Sequence, residues 1–280
     1  MSDVPKTHDG HSSRRPNMVF VSRDPKESFA DAKEVAHFSG TSILMTSSIR
    51  VGMRELLPSG ALLIHTESLS GCDPDELFHH AKNGVPMIAV GESPAHCAEH
   101  FARGVCSFVH PDNLFDHGNQ VLSHATGHRE GMEAADALLD SALPSIGFIG
   151  MRARRAIAHA LLISNTYAEG KGHVVRVAEI VRIMMEKMGE NKRQIAIAKI
   201  AAALHDIGKV GIREVKYKNG KLTPEEFKVI QGHTVAGARM MNTAITEMDD
   251  PVGREILGTA REVVYGHHER PDGKGYPEGK

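Results

Sequence analysis

Between Met18 and about Pro111 short apolar runs recur: MVFV, SILM, ALLI, PMIAV and CSFV, each flanked by turn-forming residues. Unbroken runs of this length suit strands buried on both faces. Amphipathic stretches such as KESFADAKEVAHF and DELFHHAKNG lie between them. Strands alternating with helices in this way predict an α/β doubly wound domain built on a parallel five-stranded sheet. From Asn113 onward the apolar period lengthens to that of a helix. NLFDHGNQVLSHATGHREGMEAADALLDSA reads as the closing helix of the first domain running into a connector, with glycines that interrupt it.

After Pro144 the segments RRAIAHALLISNTYAE, HVVRVAEIVRIMMEKMG, KRQIAIAKIAAALHDIG, TPEEFKVIQGHTVAGARMMNT and PVGREILGTAREVVYGHHE carry apolar residues every three or four positions. The second domain is therefore expected to be all-α. Thr223, Pro224 and Glu226 make a helix start with a cap, a proline at the first position and a capping-box glutamate. Gly208 is expected to stop the helix that contains IAIAKIAAAL. The chain divides into a polar, disordered tail (1–17), the α/β domain (18–122), a helical connector (123–143) and the helical domain (144–280).

Composition adds mainly exclusions. The 33 basic and 35 acidic residues nearly cancel, which gives no reason to expect a DNA, RNA or anionic-membrane surface. Cys72, Cys97 and Cys106 are widely spaced and absent from the histidine-rich half, arguing against a disulfide framework or a thiolate metal site. The first residues contain no apolar h-region, and no run approaches eighteen apolar residues. The expected location is cytoplasmic. The α/β half has no GxGxxG or GxxxxGK[ST] after any strand, so dinucleotide or P-loop binding there is weakly supported.

The helical half holds His173, His205, His233, His267 and His268. Any one of them alone reads as an ordinary core or boundary histidine. Together they read differently, because His205 is followed directly by Asp206 in ALHDIGK at the end of an apolar helix. Such a pair is costly to bury without strong partners, and a metal is one. Imidazole and carboxylate suit borderline first-row cations, and a carboxylate can bridge two ions where an imidazole cannot. Asp206 is the natural bridge. Five imidazoles and a carboxylate also exceed one tetrahedral shell, which favours a cluster over a single zinc. Adjacent residues on a helix point about 100° apart, so His267 and His268 are expected to serve two ions, or one of them to stand behind the other, unless the helix bends. Glu169, four residues before His173, is either a ligand to a third ion or a solvated turn residue. Lys209 is either a point charge for a phosphate oxygen or a helix-end charge. Arg176, three residues after His173, could reach a substrate phosphate or a neighbouring carboxylate.

Two resemblances give these residues a context. The first domain resembles a response-regulator receiver domain in its order of elements and in GVCSFVHP, but its working residues differ. Ser22 and Arg23 stand where that family has its acidic pair, His65 where the phosphoacceptor aspartate is expected, Gly91 for the small hydroxyl residue and His110 for the lysine. Without those acids a hard cation has little to bind, so the domain is expected to dock or dimerise rather than to be switched by phosphorylation. The second domain resembles the HD-GYP subclass of HD metal-dependent phosphohydrolases through GHVVRV, LHDIGKVGI, GHTVAGA and HHERPDGKGYP, in that order.

The HD-GYP resemblance implies a phosphodiesterase that hydrolyses cyclic di-GMP to linear pGpG, and in some members onward to GMP, by attack of a metal-activated water. It implies two or three divalent ions, iron or manganese, held by His173, His205, Asp206, His233, His267 and His268, with Glu169 as the added ligand of trinuclear members. Asp206 and Lys209 are expected to be catalytic. Lys209, Arg176, Asp272, Gly275, Tyr276 and Pro277 are expected beside the substrate. The alternatives are a non-catalytic module that binds nucleotide, metal or signalling proteins, and a phosphohydrolase for another cyclic dinucleotide. A homodimer through the receiver-like domain or the connector is the expected assembly. Members of that family continue through further helices with another aspartate ligand. By that pattern the chain is expected to be a fragment or a natural truncation, with a deficient anionic shell around the second ion.

Overall fold

A computed structural model describes residues 18–22, 43–47, 51, 54, 61–65, 87–90, 105–109, 131–167, 172–212 and 220–280. The apolar runs of the first half form five strands: β1 (Met18–Val21), β2 (Ile43–Thr46), β3 (Ala61–His65), β4 (Met87–Val90) and β5 (Val105–Val109). They pair in parallel in the order β2-β1-β3-β4-β5. The register between β4 and β5 slips once, after Met87. Val19, Phe20, Val21, Leu63, Ile64 and all of β4 are buried, as continuous apolar strands require. Parallel neighbours need long crossovers. Apart from the helical Val51 and Arg54, those crossovers, where the doubly wound pattern expects helices, lie outside the described residues, as do Arg23, Gly91 and His110.

The second half is helical: α1 (residues 131–146), α2 (Met151–Tyr167), α3 (His173–Lys187), α4 (Lys192–Ala203), a 3-10 segment (Ile207–Ile212), α5 (Pro224–Gln231), α6 (His233–Thr246) and α7 (Pro251–Gly266). Helix α1 runs through Pro144 and lies against α2. Leu138, Leu139 and Ala142 are buried, a side chain at Gly131 would strike Leu162, and Arg154 bonds Asp136 at 3.2 Å and Asp140 at 2.6 Å. Helices α4, α6 and α7 pack around Ile197, Ile200, Leu204, Met241, Leu257 and Val264. None of the described helices is long and apolar enough to cross a membrane.

Local chemistry sets the helix ends. The capping box of α5 forms as its sequence predicts: Thr223 Oγ1 accepts from Glu226 N, and the Glu226 carboxylate accepts from Thr223 N. Asn191 caps α4, accepting from Gln194 N at 2.9 Å. Asp250 caps α7 through Gly253 N and also accepts from Gly150 N, 2.8 Å each, which ties the start of α2 to the start of α7.

Two boundaries differ from expectation. The segment from Thr223 to Thr243 breaks at Gly232 into α5 and α6, so His233 opens a helix instead of lying inside one. The helix expected to reach Gly208 ends at Ala203, and the chain continues through a turn into the 3-10 segment. Gly208 is needed for proximity, not as a stop. A Cβ there would overlap the His233 carbonyl oxygen and come within 2.6 Å of Gly237 N. Gly237 is crowded in turn by Val264 and Gly208. Two glycines thus let the 3-10 segment lie directly on α6.

Candidate metal centre

Five stretches of backbone deliver the polar side chains to one place. His173 is the first residue of α3, His205 and Asp206 occupy the turn after α4, Lys209 sits in the 3-10 segment, His233 opens α6, and His267 and His268 follow the last turn of α7. All but Lys209 lie at the end of an element or in the turn after it, where backbone groups are free to orient them. His233 is fully buried, Asp206 is 3% exposed and Lys209 8%.

Hydrogen bonds to the main chain fix three of the rings. Nδ1 of His205 meets the Ala202 carbonyl at 2.8 Å, that of His233 the Ile230 carbonyl at 2.6 Å, and that of His267 the Val264 carbonyl at 2.9 Å. A carbonyl only accepts, so each Nδ1 carries the proton and each Nε2 presents a lone pair in the neutral ring. Those lone pairs converge. His233 Nε2 lies 3.2 Å from His267 Nε2, and His173 Nε2 lies 3.5 Å from His205 Nε2. Nitrogen lone pairs do not face one another at such distances without a proton or a cation between them.

Asp206 joins the two sets. Oδ2 lies 3.1 Å from His205 Nε2 and accepts from Lys209 Nζ at 2.7 Å. Oδ1 faces His233 Nε2 at 3.4 Å and His267 Nε2 at 3.6 Å, where neither ring offers it an N–H in the neutral state, and it is buried without a hydrogen-bond partner. Asp206, His233, His267 and His268 each offer one ligand atom within 4.8 Å of the others, and so do His173, His205 and Asp206. Asp206 is common to both groups. An orphaned buried carboxylate oxygen, lone pairs aimed at each other and main-chain bonds behind the rings all fit divalent metal binding.

Electrostatics agree. Burial pushes the Asp206 carboxyl up, but the facing His205, His233 and His267 rings outweigh it and hold the group far below the carboxylate range. Burial likewise opposes charge on His205, yet Asp206 raises it above its ordinary value. The pocket therefore selects positive charge, proton or metal. Burial first, then the neighbouring His267 and His233, push His268 down to about 4 and keep it neutral with a lone pair available.

The adjacent histidines converge by the local bend that their spacing on a helix requires. Beyond Gly266 the helix tightens into a turn, with Glu269 N bonded to the Gly266 carbonyl at 2.9 Å. This local bend brings the two rings to 4.2 Å centroid separation and into one ligand group.

The loop after them is closed on itself. The Glu269 carboxylate accepts from the backbone N–H groups of Glu278, Gly279 and Lys280, and Tyr276 N bonds the His268 carbonyl at 3.2 Å. Gly275 leaves no room for a side chain, since a Cβ would meet Arg270 N and His268 O at 2.5 Å. Asp272 is engaged by Arg270 at 3.0 and 2.7 Å and by Lys274 N. Pro277 follows a cis peptide bond. Tyr276 stacks on His268 at 4.5 Å. Arg176 is exposed on the first turn of α3, and Glu169 lies outside the described residues.

Sequence reasoning missed Phe227 on α5, whose ring stands 6.5 Å from that of Tyr276. The available signal was one aromatic residue in an otherwise solvated helix placed just before a candidate ligand. A separate cleft of about 400 Å³, lined by Met151, Ala156, Ala244, Met248 and Asp250, lies at the far end of α7 and gathers no ligand set.

Comparison with known proteins agrees with this geometry. Residues 158–280 match the family model described as HD domain. The helical half is thus similar to an HD domain over those residues, and a small parallel sheet precedes it. A cyclic di-GMP phosphodiesterase of Thermotoga maritima is 38% identical over 108 residues, 38% of this chain and 27% of that protein. The cyclic di-GMP phosphodiesterase response regulator RpfG of Xanthomonas campestris is 26% identical over 205 residues, 70% of this chain and 52% of its own length. A 3′3′-cGAMP-specific phosphodiesterase of Vibrio cholerae is 33% identical over 110 residues, 39% of this chain and 20% of its own. The chain thus spans between a fifth and about half of these relatives.

Proposed function

We propose that this chain is a metal-dependent phosphodiesterase of HD-GYP type that cleaves cyclic di-GMP to linear pGpG. The observation that carries the reading is the buried Asp206 carboxylate, with one oxygen unpartnered, between two converging sets of imidazole Nε2 atoms. His173, His205, Asp206, His233, His267 and His268 would hold two divalent ions, iron or manganese, with Asp206 between them. Bound ions of this kind polarise phosphoryl oxygens and lower the pKa of an attacking water.

The chain's own groups do the rest. The main-chain carbonyls behind His205, His233 and His267 hold each ring in one tautomer, so the centre needs little reorganisation when loaded. Lys209, held at the centre by Asp206, offsets charge that builds on the non-bridging oxygens as phosphorus is attacked. Tyr276 and the closed Glu269–Lys280 loop cover His268 and limit water at one side of the cluster. Arg176 is within one helical turn of His173 and is assigned to the second phosphate of the ring.

The test is direct. Purified chain supplied with iron or manganese under reducing conditions should convert cyclic di-GMP to pGpG, followed by chromatography, while metal content is measured in parallel. Metal bound without any product would favour a binding module. Because similar proteins include 3′3′-cGAMP-specific phosphodiesterases, that dinucleotide belongs in the same assay, and faster turnover of it would reassign the substrate.

A further inference from the structure

We propose that Phe227 is the wall on which one base of the bound dinucleotide stacks. The inference rests on the phosphodiesterase reading above and adds a binding residue to it.

Helix α5 buries none of its residues, yet it carries a large aromatic side chain that remains 48% exposed. Val229 on the same helix is equally exposed, but Phe227 is its one aromatic residue. The capping box fixes the start of α5, and Gly232 joins its end directly to His233. The Phe227 ring is set nearly perpendicular to Tyr276, at 79°. Tyr276 already has one face covered by His268, at 20° and 4.5 Å, and its ring also meets His233 at 6.4 Å. Phe227 adds an exposed aromatic surface at this edge of the centre. It stands one ring beyond Tyr276, itself in contact with a ligand imidazole. A nucleotide whose phosphate occupies the centre carries its base one sugar away, and Phe227 offers an exposed π-face beside the centre.

Stacking reads a flat ring and not its hydrogen-bonding edge. Phe227 should thus supply affinity for a purine without choosing between purines. Phe227→Ala should weaken cyclic di-GMP and 3′3′-cGAMP by the same factor, about tenfold, with the loss seen in KM and in equilibrium binding of a phosphorothioate analogue. Inhibition by inorganic phosphate, which has no base, should not change. Phe227→Trp should restore binding, whereas Phe227→Leu, which keeps apolar bulk but no π-face, should not.

Several outcomes overturn the assignment. Unchanged dinucleotide binding in Phe227→Ala would do so, and so would full rescue by Phe227→Leu together with a lowered melting temperature in Phe227→Ala, the signature of a prop beneath the loop. Those results leave the phosphodiesterase reading standing. Failure of the unmodified chain to bind or cleave any cyclic dinucleotide would remove both.

Discussion

The carboxyl ends of the strands and the cluster at the ends of the helices are both places where a fold gathers side chains for chemistry, and among the described residues only the second gathers a charged, ligand-bearing set. At the sheet, the described strand-end residues include Ser22 and Thr46, both buried, with Ser22 N bonded to the Thr46 carbonyl at 3.1 Å, and no carboxylate is among them. At the helix ends a carboxylate is buried among five imidazoles and a lysine. Burying an acid is tolerable only with countercharge. The helical half invests in that arrangement, and the described sheet avoids the need for it.

The sharpest way to break this contrast is to remove the acid. Asp206→Ala should take hydrolysis below detection and release more than half of the bound metal, because both ligand groups share that residue. In the metal-free protein it should also cost about 3 kcal/mol, since the buried Lys209 ammonium loses its nearest countercharge. Metal analysis and denaturant titration measure the two effects separately. Full metal retention would show that Asp206 bridges nothing.

Next in size is the close approach that brings the acid to the histidines. Gly208→Ala should destabilise the fold by about 3 kcal/mol, because the added methyl must displace the His233 carbonyl or Gly237. The shift falls on His233, so metal affinity should drop with stability. A folded, fully loaded Gly208→Ala protein would mean that the glycine crossing is dispensable.

The opposite end of the same helix bundle gives a smaller effect without loss of chemistry. Asp250→Ala should cost about 1 to 2 kcal/mol through the lost cap and the lost tie to Gly150, with metal content per folded molecule unchanged. Hydrogen bonds from the backbone of Gly150 and Gly253 hold the Asp250 carboxyl below its ordinary value. Its contribution is therefore complete above the unfolded carboxylate pKa and fades as pH falls through the lowered folded value. Asp250→Asn should show a shallower loss of stability with acid over that window, read from melting temperatures.

These contrasts also mark what the sequence could express. Strand positions were legible because a buried parallel strand leaves an unbroken apolar run, and the α5 cap because its residues are local. The histidine cluster was legible because a histidine-aspartate pair is an anomaly at the end of an apolar helix. The stop at Ala203 was not, since IGKVGI keeps an apolar pattern that does not distinguish a 3-10 segment from a continuing helix. Nor was the convergence of His267 and His268, which depends on one tightened turn. Tautomers set by the Ala202, Ile230 and Val264 carbonyls, and the nearness of Phe227 to Tyr276, arise only when distant segments meet.

The smallest expected effect is none at all, and it tests the other side of the comparison. Treatment with a small phosphodonor and Mg²⁺ should leave the sheet half unmodified. Acyl phosphate formation needs a carboxylate nucleophile and a cation held by further acids beside it. In this chain β1 is followed by Ser22 and Arg23, and β3 ends on His65, so these positions offer neither the nucleophile nor the acids. A histidine could in principle accept a phosphoryl group, but the phosphoramidate would be labile to acid and stable to base, unlike an acyl phosphate. Intact-mass measurement before and after acid and base treatment separates the cases. A single added phosphoryl group lost in base as well as in acid would place an aspartyl switch in the first half and end the contrast between the two ends of the molecule.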